Sequence, residues 1–184
     1  MPKCAHCKQP YTRTHNGIET WCSVDCGYAL ARAKQAKAVK AEKKAFKVET
    51  VRRKKAILDK CPKHQKKKAK MDCHAYIRAR DAGKGCKSCG TKVSKQWDAG
   101  HFIPSGRGSY LRYDERNIFL QCCACNDGNK LSGNVLAYRR ALVAEFGEDY
   151  VQELERLGHI KKSWSIDELK EVQVYYKAKL KELR

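Results

Sequence analysis

Cys86-Lys-Ser-Cys89, then Gln96-Trp-Asp98-Ala-Gly100-His101-Phe-Ile-Pro104, then Asn117-Ile-Phe-Leu-Gln121-Cys122-Cys-Ala-Cys125-Asn126 is the stretch on which the fold of this chain turns. Two C-x2-C knuckles bracket two short runs rich in aromatic and β-branched residues. Residues 96–103 and 117–121 read as strands, and the second leads into a polar helix opening at the second knuckle. Each knuckle delivers two thiolates from one tight turn, which is what a tetrahedral zinc ion needs. Cys86, Cys89, Cys122 and Cys125 are therefore expected to form one structural zinc site.

Toward the N-terminus the pattern repeats, as Cys4-x2-Cys7-x14-Cys22-x3-Cys26, with Trp21 just before the second pair and a helical pattern just after it. This predicts a small zinc finger of treble-clef or ribbon type over residues 1–27. The segment Trp21-Cys-Ser-Val-Asp-Cys26 is similar to the second half of YacG-type fingers. A module of this size cannot bury a useful core, so metal binding and folding should be one event. Docking to DNA or protein, or simply capping the helix that follows, are both open to it. Eight of the 11 cysteines fall in such pairs, a repetition that disulfides do not require. Cys61, Cys73 and Cys123 remain, and read as buried or free thiols of a reducing cytosol.

Between the two cysteine modules the chain is dominated by Ala, Lys, Arg and Glu. From Tyr28 to Lys60 there is no Gly or Pro, and Pro62 follows, so one long helix is expected, about 50 Å from end to end. Residues 32–70 hold 17 Lys and Arg against Glu42, Glu49 and Asp59. That excess exceeds what solubility needs and points to phosphate contact, with Arg52, Arg53, Lys54 and Lys55 as candidates. Residues 28–73 read as a basic helical linker, and residues 74–81 as a short helix ended by Gly83 that opens the chemical domain, 74–133.

Past Asn134 the pattern is helical again. Leu136, Leu142 and Phe146 are followed by Tyr150, Val151, Leu154 and Leu157. A last helix is announced by the capping box Ser165-x-x-Glu168, and carries Leu169, Val172, Tyr176, Leu180 and Leu183 on one stripe. From residue 145 onward acids and bases nearly balance, so residues 134–184 read as a packing or dimerising region, with a homodimer expected.

The formal charge of +20 over 184 residues calls for a polyanionic partner, with nucleic acid the first candidate. No run approaches the roughly 18 apolar residues of a membrane span, and Met-Pro-Lys-Cys lacks the apolar core of a signal peptide. The expectation is a cytoplasmic protein with no membrane partner.

The order of the central elements resembles the zinc-bound branch of HNH nucleases, including the endonuclease VII type of phage junction resolvase, in which two knuckles clamp a ββα-metal unit. The resemblance implies a zinc-stapled HNH-like core, which with the N-terminal finger, long basic helix and C-terminal helices read above makes an α+β chain. His101, at the end of the first strand, takes the place of the general base, since an imidazole accepts a proton near neutral pH. Asn126, directly after the second knuckle, is placed to give oxygen to a hard cation such as Mg2+ or Mn2+, with Asp127 or Asn129 able to share that duty. Asn117 stands where the family places the amide that ties the loop to the strand. Many members carry Asp or His immediately before the catalytic histidine, whereas this chain has Gly100. The nearest carboxylate, Asp98, falls on the opposite face of an ideal strand from His101, and would join a metal site only if the strand bends; otherwise it makes a structural hydrogen bond. Arg107, Arg112, Arg116 and Lys130 are candidate phosphate contacts, or else solvated surface charge. His6, His15, His64, His74 and His159 read as surface residues.

Leu111-Arg-Tyr-Asp-Glu-Arg-Asn-Ile118, Gln121-Cys-x-x-Cys-Asn126 and Leu131-Ser-Gly-Asn134, together with Cys86-x-Ser-Cys-Gly-Thr91 and Gln96-Trp-Asp-Ala-Gly-His101, are similar to the lambda NinG (Rap) family of phage recombination nucleases. That resemblance implies a metal-dependent endonuclease acting on branched DNA such as Holliday junctions and D-loops, in the company of host or phage recombination proteins. The rival reading is a non-catalytic zinc-dependent DNA-binding or assembly protein. It accounts for charge and cysteines, but leaves His101, Asn117 and Asn126 unexplained.

Overall fold

The computed structural model describes residues 1–13, 17–127 and 133–183, and divides into two compact units, Met1–Ile57 and Leu58–Arg184. Candidates at Asn129 and Lys130, the start of the Leu131-to-Asn134 motif, and His15 lie outside the described residues.

In the first unit, an isolated bridge pairs Lys3 with Pro10 around the Cys4–Cys7 turn, and the Ala5 amide donates to the Thr20 carbonyl at 2.7 Å. Helix α1 (Val24–Asp59) begins inside the second cysteine pair, four residues before the expected start. The Ser23 hydroxyl accepts from the Cys26 amide at 3.3 Å, which meets one of the unpaired donors of the first turn. Trp21 lies against Gly27, where an added Cβ would stand 3.2 Å from the indole, so ring and helix start are in van der Waals register. No α1 residue is buried; alanine and straight-chain residues hold the helix by propensity alone.

The second unit opens with α2 (Pro62–Arg80), with proline in the first turn, where its missing N–H is no loss. The boundary read at 73/74 falls inside this helix, and the short helix expected over 74–81 is its last part. Ala69, Cys73, Tyr76 and Ile77 form a buried stripe that surrounding lysines hide from a compositional reading. Residues 62–73 are thus part of the core rather than of a linker.

Strands β1 (Trp97–His101) and β2 (Ile118–Cys122) pair antiparallel, from Trp97 opposite Cys122 to His101 opposite Ile118. Ala99 and Ile118 pack on α2 together with Tyr113, and with Leu169 and Tyr176 from α6 (Ile166–Glu182). At the end of α2, buried Asp81 accepts from the Leu120 amide at 3.2 Å while Arg80 donates to the Ile118 carbonyl at 2.9 Å, clamping helix to strand. Following β2 come the short α3 (Cys123–Asn126), then α4 (Val135–Phe146) and α5 (Glu148–Leu157), parted at Gly147 with φ of 89°. Tyr138, Leu142, Val151, Leu154 and Leu157 close over Phe102, Ile103 and Leu111, which belong to the loop between the strands.

The capping box of α6 is formed in both directions between Ser165 and Glu168. Its apolar stripe, expected to pack or to dimerise, is largely consumed within the chain: Leu169 and Tyr176 are buried, with Val172 and Leu180 packed beside them. Of the two alternatives, packing inside one chain takes most of this face. Among the described residues no helix is long and apolar enough to cross a membrane.

Candidate active centre and metal sites

Both cysteine tetrads are assembled. The sulfurs of Cys4, Cys7, Cys22 and Cys26, and those of Cys86, Cys89, Cys122 and Cys125, each lie within 4.8 Å of one another, a donor set that fits tetrahedral zinc. Burial works against ionising Cys4 and Cys86, but knuckle amides pointing at the sulfurs prevail and lower them to about 6 and about 7 respectively. The second tetrad joins the knuckle after α2 to the start of α3, so one ion there would close the end of the strand pair where Trp97 stands opposite Cys122. Of the remaining thiols, Cys73 is a core residue pushed up to about 12, chiefly by burial. Cys123 lies 3.6 Å from the Ser94 hydroxyl, and Cys61 immediately precedes α2.

His101 ends β1 with its Nε2 3.0 Å from the Arg112 carbonyl. A carbonyl only accepts, so in the neutral ring Nε2 carries the proton and Nδ1 keeps its lone pair. Burial pushes the imidazole below its usual range; the Arg112 carbonyl opposes this, while the charges of Lys70 and Arg112 add to it. Asn117 is 0% exposed. Its Oδ1 accepts from the Ile103 amide at 2.8 Å, and its Nδ2 donates to the carbonyls of Ile103 at 3.0 Å and Leu111 at 3.3 Å. It pins both ends of the loop that carries Arg112, and through that carbonyl it fixes the His101 ring.

The ladder through Asp98, Ala99 and Gly100 is regular, without the bend that would turn Asp98 to the His101 side. Asp98 makes the hydrogen bonds of the alternative reading: Gln96 Nε2 donates to it at 2.7 Å and Asn126 Nδ2 at 3.3 Å. The second of these brings Asp98 and Asn126 together at the start of α3. Directly opposite Asp98 stands Gln121, fully buried, whose Nε2 donates to the Gly133 carbonyl at 2.8 Å and whose Oε1 has no partner among the described residues.

One residue read as surface belongs to the centre. His74 on α2 faces His101 at 5.5 Å between ring centres, and its Nε2 is buried without a partner among the described residues. Its only signal in the sequence is its place beside the buried Cys73 and Ile77.

Among the proposed phosphate contacts, Arg107 is exposed beside the loop; Arg112 is half-buried and donates to the Ser105 carbonyl at 2.9 Å. Arg116 is exposed but already paired with Asp114 at 2.7 Å. Arg52, Arg53, Lys54 and Lys55 are all exposed on α1.

The chain matches the family model described as "Bacteriophage Lambda NinG protein" over residues 1–184. It is 37% identical to "Protein ninG" of Escherichia phage lambda over 173 residues, 89% of this chain and 83% of that one. "Protein ninG" of Salmonella phage P22 is also 37% identical over 173 residues, 89% of this chain and 84% of that one. "Protein ninG" of Enterobacteria phage H19B is 36% identical over 192 residues, 99% of this chain and 93% of that one. No solved structure matches.

Proposed function

The chain belongs to the bacteriophage lambda NinG family, and from that premise we propose that it is a metal-dependent endodeoxyribonuclease that hydrolyses phosphodiester bonds in branched recombination intermediates. The observation that carries this reading is His101 at the end of β1, held through Nε2 on the Arg112 carbonyl with Nδ1 left to accept a proton.

Phosphodiester hydrolysis needs a water made nucleophilic, and a frame that holds it in line with phosphorus. His101 Nδ1 takes the proton of that water. The Arg112 carbonyl fixes the ring's tautomer and shares the positive charge that develops on it. Asn117, through three hydrogen bonds, keeps that carbonyl in place. Asn126, directly after the second knuckle, is the oxygen donor offered to a hard cation, because Asp98 stands on the face of β1 away from His101 and accepts from Gln96 and Asn126. Mg2+ or Mn2+ bound there would supply positive charge to the developing phosphorane and leaving oxygen. The second tetrad holds the frame, and the exposed basic residues of α1, with exposed Arg107 of the loop between the strands, supply salt-sensitive affinity for the DNA backbone.

Labelled four-way, flapped and linear DNA offered to the zinc-loaded protein in Mg2+ separates the readings. Preferential cutting of the branched substrates supports the proposal. Equal cutting of linear duplex leaves a nuclease without branch preference, and binding without cutting leaves a DNA-binding assembly protein.

A further inference from the structure

This inference rests on the nuclease reading and enlarges its centre. His74 was not needed for the chemistry above, yet its ring stands 5.5 Å from that of His101 at an interplanar angle of 51°. Its Nε2 is buried and, among the described residues, unpaired. An orphaned buried nitrogen is costly, and such groups recur where an absent water, ion or ligand completes them.

The charges around the pair say which kind of ligand. Lys70 and Arg78 lie one helical turn before and one after His74, on its own side of α2, and both are exposed. Lys70 also acts on His101, as does Arg112 from the loop. Asp98 on β1 is the opposing charge. Burial first, then His101, Lys70 and Arg78, hold His74 neutral, down to about 3, against the pull of Asp98. A metal cation entering between the rings would meet three positive side chains with one carboxylate to offset them. An anion meets complementary charge and an imidazole able to donate a proton from Nε2.

We propose that His74 is a substrate-contacting residue: it donates a hydrogen bond from Nε2 to a non-bridging oxygen of the DNA phosphate held next to His101, within a cationic rim of Lys70, Arg78 and Arg112. His101 and His74 then divide the work. One takes the proton of the attacking water; the other holds the phosphate.

The test uses the full zinc-loaded chain with 15N-labelled histidine, titrated with inorganic phosphate and followed by NMR, beside single-turnover cleavage of a four-way junction. Phosphate is expected to shift the ring resonances of His74 and His101 and to leave His6 and His159 in place. His74→Ala should weaken phosphate binding and slow cleavage at least roughly tenfold, and His74→Asn, which keeps an N–H donor, should regain most of both. A purely structural histidine would give no phosphate shift, and no rescue that tracks the donor. Unmoved His74 resonances, or His74→Ala binding phosphate and cutting as wild type does, would overturn the inference. So would Mn2+ seating between the rings in preference to phosphate. Should His74→Ala fail to fold, the wild-type titration and His74→Asn decide. If phosphate moves both rings but no DNA is cut, the nuclease reading fails and the anion site stands; cutting with no phosphate effect at His74 has the opposite meaning.

Discussion

A Cβ built on Gly100 would lie 1.7 Å from Oε1 of Gln121, because the Gln121 amide occupies the space over residue 100 on the strand face that also carries Asp98. Any side chain at residue 100 would therefore have to displace the buried Gln121 amide. Gly100→Ala should destabilise the protein by about 2 kcal/mol through overpacking. In the background of Gln121→Ala the same change should cost well under half as much, as a double-mutant cycle by urea unfolding reads directly. Additive effects would mean that Gln121 does not fill the space.

The Asn117 amide is buried and fully engaged with Ile103 and Leu111. Asn117→Ala takes from the Ile103 amide and carbonyl their Asn117 partner and leaves the Leu111 carbonyl with the Asp114 amide alone, and should cost about 3 kcal/mol of stability. At temperatures where the variant is still folded, cleavage should fall too, because the loop that carries Arg112 is loosened. A variant as stable as wild type would refute the tie.

Acid should destabilise this protein through its paired histidines. His74 sits at about 3 and His101 is also lowered, both chiefly by burial, whereas in the unfolded chain each titrates near 6.5. Below about pH 6.5 the unfolded state binds protons that the folded state refuses, so their contribution is intact above that pH and is lost progressively toward pH 3. Chemical denaturation at a series of pH values should show stability falling over this window, and His74→Asn should flatten the fall. A pH-independent midpoint between 6.5 and 4 would contradict the burial of both rings.

Arg52, Arg53, Lys54 and Lys55 are exposed on a helix with no buried residue. Replacing all four by Ala should leave the melting temperature nearly unchanged while reducing the slope of log affinity against log salt by about 3 to 4, if each meets a phosphate. An unchanged slope would remove this stretch from the DNA-binding surface.

Zinc removal should act as unfolding. A strong chelator is expected to abolish the first unit's fold around Cys4, Cys7, Cys22 and Cys26, and to loosen the strand pair stapled by Cys86, Cys89, Cys122 and Cys125. Elemental analysis should give two zinc ions per chain; a clearly lower ratio in folded protein would contradict the two-site assignment.

What was legible in the sequence is what is local. The cysteine spacings, the strands around Ala99 and Leu120, the long α1 and the Ser165–Glu168 box each declare themselves within a few residues. The tie of Asn117 to its loop followed from the family resemblance. The passage of α2 through residue 73 did not show, because its buried stripe is spaced among lysines that dominate any composition window. The destination of the Leu169–Tyr176 stripe was equally closed to view, since periodicity says that a face is buried but not against what. His74 was missed for the same reason: its partner is 27 residues away across a helix–strand contact, and a single histidine in a basic helix carries no local mark of that meeting.

The central claim is that His101 is the base of a DNA-cleaving centre. The most direct measurement is single-turnover cleavage of a labelled four-way junction in Mg2+ by zinc-loaded wild type and His101→Ala, with binding of both measured in Ca2+. The account predicts that His101→Ala binds within about twofold of wild type but cuts about 10²–10⁴-fold more slowly. Equal cutting by the two proteins, or tight binding by both with cleavage by neither, would contradict it.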